Sequence, residues 1–336
     1  MKREDKQLRW GIMGCAGIAI GAVMPAIQQS TTGVITGVAS RNLEKSRQVA
    51  DQFGAPKAFG SYEEMLADAD IDALYIPLPN HLHKEWAIRA MQAGKHVLCE
   101  KPIALNAPEA KEMADAADEA GVQLAEAFMY RHHPRWERIR EIIASGEIGE
   151  LRVIRGAFTF NNAEDLTNIR LRPEWGGGSI YDVGCYPISA ARYILGQEPE
   201  AVTVQAKFSL KHGGVDMMAA GLIEFPGEVA LTFDCGMWAE NRELLEIVGT
   251  EGVIDLPRAF TAGMEKAAYG VTVRGERREE IPEAMNPYVA ELDDFAAAVF
   301  GERPQRFTPQ DAVKGMTVLE ACLTSAREKR RVSLQA

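Results

Sequence analysis

Two short stretches of the chain carry the side chains best suited to moving a proton. In VLCEKPIA, residues 97–104, an apolar run ends on Glu100 and Lys101 and is stopped by Pro102. Charges at the end of a buried strand are paired, solvated or used. Consecutive strand residues point to opposite faces, so Glu100 and Lys101 are poorly placed to neutralise each other and are expected to have separate tasks. Pro102 restricts Lys101 to an extended backbone and gives the option of a cis peptide, which would aim the amine. In GGGSIYDVGCYP, residues 176–187, Asp182 and Tyr186 are four apart and share one face of a predicted helix. A phenol with a free pKa near 10 is a poor base at neutral pH, but a nearby ammonium favours the phenolate. Lys101 and Tyr186 therefore suit proton exchange with an alcohol or ketone oxygen, with Tyr186 favoured as the acid/base and the reverse assignment open, because coupled groups share their titration. Asp182 would orient substrate hydroxyls. The same segment also has a structural reading: Ser179 and Asp182 as a capping box, the glycines as a turn and Tyr186 as a core aromatic.

The elements that must hold these residues fall into two blocks, as a length of 336 residues leads one to expect. From Leu8 to about Phe128, short apolar runs (LRWGIM, VITGVAS, ALYIPLP, HVLCEK, VQLAEAF) alternate with helical patterns, several of which stop on glycine. Alternation of this kind predicts a Rossmann-type, doubly wound parallel sheet in an α/β domain over residues 1–128. Residues 129–336 open with a helical pattern and continue in β-rich runs joined by short glycine-containing links such as PGE and TEG. That block predicts an α+β domain with a large, mostly antiparallel open sheet, for substrate binding and oligomerisation. A last helix, 309–330, packs on either domain and precedes a short strand, RVSL.

The first strand runs into GIMGCAGIAIG. Gly14, Ala16, Gly17, Ile18 and Ala19 occupy a tight turn leading into a helix, as G-x-G-x-x-G/A does where a backbone approaches a pyrophosphate, with Ala16 departing from the strict pattern. At the end of the second strand, VASRN, no acid is present to take a ribose 2′-hydroxyl. Ser40, Arg41 and Lys45 instead offer a hydroxyl and two cations for a 2′-phosphate, which predicts NADP in preference to NAD, NAD remaining possible. The alternative is that Arg41 and Lys45 are simply solvated. Leu78, Pro79, Asn80 and His83 in PLPNHLH follow another strand end and, with Glu100 and Lys101, are expected to converge on the cofactor. Arg170 and Trp175, before the glycine run, are candidates to meet nicotinamide or substrate, with packing as the alternative for Trp175, and Tyr288 in NPYVAELDDF covers the cofactor or packs. His132 and His133 have no third ligand at recognisable spacing, so no metal is assigned.

A net charge of -11 without a Lys/Arg block argues against nucleic acid or an anionic membrane as a partner. The five scattered cysteines form no C-x-x-C and read as reduced thiols. The charged N-terminus lacks the apolar region of a signal peptide, and no window approaches a transmembrane span, so a cytoplasmic location is expected.

GIMGCAGIA, PLPNHLH, KHVLCEKP and GGGSIYDVGCYPISAARYILG, in this order, resemble the glucose-fructose oxidoreductase, inositol dehydrogenase and rhizopine-catabolism (Gfo/Idh/MocA) family over nearly the whole chain. The resemblance implies a dinucleotide-binding domain, a C-terminal α/β domain whose open sheet often makes the oligomer contact (a homodimer or homotetramer), and NAD(P)-dependent oxidation or reduction of sugars or polyols. By position, Lys101 matches the active-site lysine, Glu100 a residue near the nicotinamide ribose, and Asp182 and Tyr186 the pair in the substrate domain. Many relatives carry His at the second place of that pair, so Tyr186 points away from inositol dehydrogenases. It is similar instead to the branch of dimeric dihydrodiol dehydrogenase, xylose dehydrogenases and sugar ketoreductases. A non-catalytic dinucleotide sensor and a redox-neutral enzyme with tightly held NAD are the alternatives.

Overall fold

The computed structural model describes residues 7–261 and 267–334. Residues up to His132 together with Asn286–Val313 form one compact unit, and His133–Met285 together with the residues from Lys314 onward form the second.

The first unit contains strands β1 (Leu8–Met13), β2 (Gly33–Ala39), β3 (Lys57–Phe59), β4 (Ala73–Ile76), β5 (His96–Glu100) and β6 (Leu124–Ala127). They form a six-stranded sheet ordered β3-β2-β1-β4-β5-β6, with every pair parallel. Helices α1 (Met24–Gln29), α2 (Leu43–Phe53), α3 (Tyr62–Leu66), α4 (His83–Gln92) and α5 (Ala107–Ala120) make the crossovers. All four residues of β4 and the middle three of β5 are buried, which is why these strands read as unbroken apolar runs rather than as alternation. Local chemistry fixes the helix ends. Asn42, Ser61 and Asn106 accept the amides of Lys45, Glu64 and Glu109, while Gly54 and Gly121 close α2 and α5 in the left-handed conformation. The strand order reverses between β1 and β4, and in such sheets ligands bind outside the carboxyl ends at that point. The loops carrying Gly14, Ser40, Asn80 and Lys101 follow the carboxyl ends of β1, β2, β4 and β5.

The second unit opens with α6 (Arg135–Ala144) and β7 (Leu151–Asn161), followed by α7 (Cys185–Leu195), β8 (Ala201–Phe208), β9 (Asp216–Phe225) and β10 (Val229–Gly236). It continues through β11 (Trp238–Gly249), β12 (Gly252–Pro257), β13 (Tyr269–Val273) and β14 (Glu276–Glu280). The chain then forms α8 (Pro287–Val299), α9 (Pro309–Glu328) and β15 (Val332–Ser333). The nine-stranded sheet runs β14-β13-β12-β11-β7-β10-β9-β8-β15 and is antiparallel except for the β7/β10 pair. The PGE and TEG links make the hairpins read from the sequence. Helix α7 lies close on β7: a Cβ at Gly156 would come within 2.5 Å of Pro187.

The chain passes between units after His132, Met285 and Val313, whereas the sequence suggested one boundary after Phe128 and left only the last helix open to pack back on the first domain. The reason lies in α8. Leu292, Phe295 and Ala296 are buried in the first unit's core, Phe295 lies 5.5 Å from the Trp10 ring, and Asp293 accepts hydrogen bonds from Ser30 and Thr32. The tail goes the other way, since β15 pairs with β8.

Candidate active site

In the first unit the loop after β1 turns at Gly14, whose φ of 117° is one that L side chains rarely adopt and whose added Cβ would lie 3.0 Å from Leu78. Gly17 and Ile18 are exposed, and a Cβ at Gly17 would meet no protein atom within 4 Å. The loop feeds a helix that is wound as a π-helix over Ala19–Val23 before α1. The first amides of a helix have no partner within it and attract anions. This open, amide-rich turn fits a dinucleotide pyrophosphate.

Ser40 follows β2 and accepts the amide of Asn42, while Asn42 caps α2. Cys15 of the glycine loop contacts the Lys45 carbonyl at 4.0 Å. Burial raises its thiol pKa, and the Lys45 charge and a Ser40 hydrogen bond act in the opposite direction. Arg41 and Lys45 are exposed at the head of α2, so Ser40, Arg41 and Lys45 surround the same loop and present a positive rim. Among the described residues, neither cation has an ion-pair partner. That combination of hydroxyl and two cations fits a 2′-phosphate.

Around the ends of β4 and β5, Tyr75 donates to Oε1 of Glu100 at 2.5 Å, and the Lys101 backbone amide donates to Oε2 at 3.2 Å. The Lys101–Pro102 bond is cis. Burial first, and then the Glu100 charge, hold the Tyr75 phenol, the Tyr288 phenol and the Glu291 carboxyl above their usual ranges. All three acids thus lie within the field of Glu100, on the same unit.

His83 has a different position from the one expected. It is fully buried, with Nε2 2.8 Å from the Leu78 carbonyl and Nδ1 3.0 Å from that of Pro102. Burial lowers its pKa to about 4, so the ring is neutral and donates to one of the two carbonyls at a time. With both nitrogens facing protein carbonyls, His83 ties the Leu78-Pro79-Asn80 loop to the loop after Lys101 rather than making the cofactor contact read from the sequence.

In the second unit the glycine run is set by close approach. A Cβ at Gly177 would lie 2.3 Å from the Arg170 carbonyl, and one at Gly178, where φ is 118°, would lie 2.0 Å from the Asp216 carboxylate. The capping box expected at Ser179 is absent. Ser179 has helical dihedrals and makes no side-chain cap, because its hydroxyl donates instead to Asp216 at 2.8 Å. The helix expected across Asp182 and Tyr186 begins as a π-helix, Ile180–Gly184, before α7. Gly184 permits this, since a Cβ there would come within 3.0 Å of the Cys235 sulfur on β10. Isolated π turns occur frequently at functional sites. Here one follows the glycine loop after β1 and the other the glycine run before Asp182.

Arg170 Nε donates to Oδ2 of Asp182 at 2.7 Å, with the arginine side chain 41% and the aspartate 15% exposed. Arg170 is therefore Asp182's partner on this unit. The Tyr186 ring is buried and packs against Phe158 and Phe260 at 5.1 and 5.5 Å between ring centres. Aromatic packing of this kind removes rotational freedom from the phenol. Trp175 lies half-buried on the short helix just before the glycines.

Tyr75, Glu291 and Asp216 were not singled out from the sequence. The signals were a phenol within the apolar ALYI, the first acid of NPYVAELDDF and the lone acid of GGVDMM. Each needs a partner when buried. His132 is bound to Asp294 at 2.5 Å, and no group of His, Cys, Asp and Glu able to hold a metal occurs among the described residues. No helix among them is long and apolar enough to cross a membrane.

Residues 8–128 match the oxidoreductase family with an NAD-binding Rossmann fold, Gfo/Idh/MocA, and residues 136–255 match the Gfo/Idh/MocA C-terminal domain. The chain is 36% identical to the D-xylose 1-dehydrogenase (NADP(+)) 2 of Haloferax volcanii, over 97% of this chain and all of that one. A 3-ketoreductase from Actinomadura kijaniata, solved with NADP and TDP-benzene, superposes with a TM-score of 0.90 at 30% identity, covering 95% of this chain and 98% of that one. An aldose-aldose oxidoreductase from Caulobacter crescentus, solved with glycerol, superposes with a TM-score of 0.91 at 27% identity, covering 98% and 100%.

Proposed function

Since the chain belongs to the Gfo/Idh/MocA oxidoreductase family, we propose that it is an NADP(H)-preferring enzyme that interconverts a CH–OH and a C=O group on a sugar, keto-sugar or polyol. Its broader identity, an NAD(P)-dependent oxidoreductase acting on sugars, follows from the family and from relatives that are sugar dehydrogenases and ketoreductases.

The preference for NADP rests on Ser40, Arg41 and Lys45 around the glycine loop, and on the NADP named for the Haloferax and Actinomadura relatives. Gly14, Ala16, Gly17, Ile18 and Ala19 would hold the pyrophosphate, with Leu78, Pro79 and Asn80 beside them. Glu100 and Tyr288 would hold the nicotinamide end. Bound NADP(H) supplies or accepts the hydride at the substrate carbon.

The protein's share of the chemistry is the proton. Tyr186, fixed by Phe158 and Phe260, gives its phenolic proton to the substrate oxygen during reduction and takes it back during oxidation. Lys101, matching the family's active-site lysine, would supply an ammonium that draws electron density onto the carbonyl oxygen and lowers the barrier to hydride addition. Asp182, held by Arg170, accepts hydrogen bonds from sugar hydroxyls and so selects polyhydroxylated substrates.

The observation that carries this reading is the presence of both Lys101 after β5 and the Arg170-anchored Asp182 ahead of Tyr186, in a chain whose relatives reduce or oxidise sugars. A screen of aldoses, deoxy-keto sugars, inositols and diols, each with NADP, NADPH, NAD and NADH and followed by nicotinamide absorbance, tests it. Turnover of at least one sugar with higher kcat/KM for the NADP couple is expected. Cofactor binding without any turnover, or a clear preference for NAD, would overturn it.

A further inference from the structure

Asp216 is the first residue of β9, yet its side chain serves a different element. It is 2% exposed, accepts the Ser179 hydroxyl at 2.8 Å and the Ile180 amide at 2.7 Å, and presses so closely on Gly178 that no side chain fits there. These contacts fall at the head of the π-helix, just before Asp182 and Tyr186. A buried carboxylate is costly unless it is fully hydrogen-bonded, and nothing about a β-strand end requires one. Replacing a buried charge by a neutral group of similar volume is often neutral or stabilising, so stability alone is a weak account of a carboxylate here.

We propose that Asp216 is a positioning residue: its ionised carboxylate fixes the Ser179–Ile180 step of the π-helix, and through it the angle at which Asp182 and Tyr186 are presented to substrate. This rests on the functional reading above and adds a residue to it. The groups facing Asp216 are the Ser179 hydroxyl and Ile180 amide from the turn, Cys235 from β10 and the charge of Arg327 from α9. Cys235 is a weak partner, donating to Ser179 at 3.6 Å, and its thiol is pushed up mainly by burial and then by the Asp216 charge. Burial is the dominant influence on Asp216 itself and raises its pKa to about 6, against the opposing hydrogen bonds and Arg327. Protonation, on Oδ1, replaces the two charge-assisted hydrogen bonds accepted by Oδ2 with weaker neutral ones.

The test compares Asp216→Asn, a neutral mimic of the protonated acid, with Asp216→Ala and the unaltered protein. Asp216→Asn is expected to lower kcat/KM about tenfold near pH 8 and to flatten the fall that the unaltered protein shows as pH drops through about 6, with NADPH affinity unchanged and Tm no lower. Asp216→Ala is expected to cost roughly 100-fold, by loss of the oxygen that accepts both hydrogen bonds. Amide hydrogen exchange supplies a readout independent of turnover: peptides spanning 180–186 should exchange faster in Asp216→Asn while peptides of the parallel-sheet unit do not change. If the unaltered protein turns over no sugar but exchange over 180–186 still accelerates, the functional reading falls and the anchoring stands. Unaltered kcat/KM across this pH range together with unaltered exchange in Asp216→Asn would overturn the inference, whether or not Asp216→Ala folds.

Discussion

Tyr75 donates its phenolic hydrogen to Oε1 of Glu100 over 2.5 Å, reaching from the fully buried centre of β4 to the last residue of β5, next to Lys101. A hydrogen bond to a charged group contributes about 1.5–3 kcal/mol, more than an ordinary one. Tyr75→Phe, which removes only this oxygen, should therefore lower unfolding stability by roughly that amount in urea titrations. It should also weaken turnover, because Glu100 loses one of the donors that orient it. Unchanged stability and unchanged kcat/KM would show that the contact holds nothing in place.

Cofactor choice is predicted to sit on the rim of the glycine loop. Arg41→Ala and Lys45→Ala should each raise KM for NADP about tenfold, equivalent to about 1.4 kcal/mol, and leave KM for NAD nearly unchanged. Both side chains are exposed, so the folded state should be unaffected. Equal losses with both cofactors would place the 2′-phosphate elsewhere.

The neutral His83 ring makes stability depend on acid. Its folded-state pKa, lowered to about 4 by burial, lies below its ordinary value of 6.5. The unfolded chain therefore binds the proton first as pH falls, and the contribution present above about 6.5 is lost progressively down to about 4. His83→Gln should show a shallower loss of Tm across that window than the unaltered protein. Asp216, with its raised pKa, acts in the opposite sense and contributes less as pH rises between 3.8 and about 6, so the two variants separate the effects. Parallel Tm profiles for His83→Gln and the unaltered protein would contradict the assignment.

Gly178 has room for no side chain. Gly178→Ala combines a φ of 118° with a contact 2.0 Å from Asp216, and should cost roughly 1–3 kcal/mol of stability through strain. Substrate kcat/KM should fall while NADPH affinity, measured by fluorescence titration, stays as it was. A stable and fully active Gly178→Ala would mean that the lead into the π-helix adapts freely.

How much of this was legible in the sequence depended on how local the cause was. The parallel strands could be read because burial on both faces leaves unbroken apolar runs, and the helices because their apolar spacing stops on glycines such as Gly54 and Gly121. Lys101, Asp182 and Tyr186 stood out because titratable groups at strand ends and beside glycine runs are unusual. The π-helices at Ala19–Val23 and Ile180–Gly184 left no mark, since five residues are too few to distinguish their period from an α-helix and the cause at Ile180 is an acceptor 36 residues away. Similarly, an amphipathic α8 announces that it must bury Leu292 and Phe295, but not in which core. His83 looked like a ligand because its type permits that. Its burial between two carbonyls depends on where the Pro102 loop lies.

Among these expectations, the division of labour between amine and phenol is tested most directly by kcat/KM for the best sugar substrate in Lys101→Met and Tyr186→Phe, with NADPH binding measured alongside to confirm a folded first unit. A loss of roughly 100-fold or more in each variant, with cofactor binding retained, is the predicted result. Near-normal turnover in both would contradict the account.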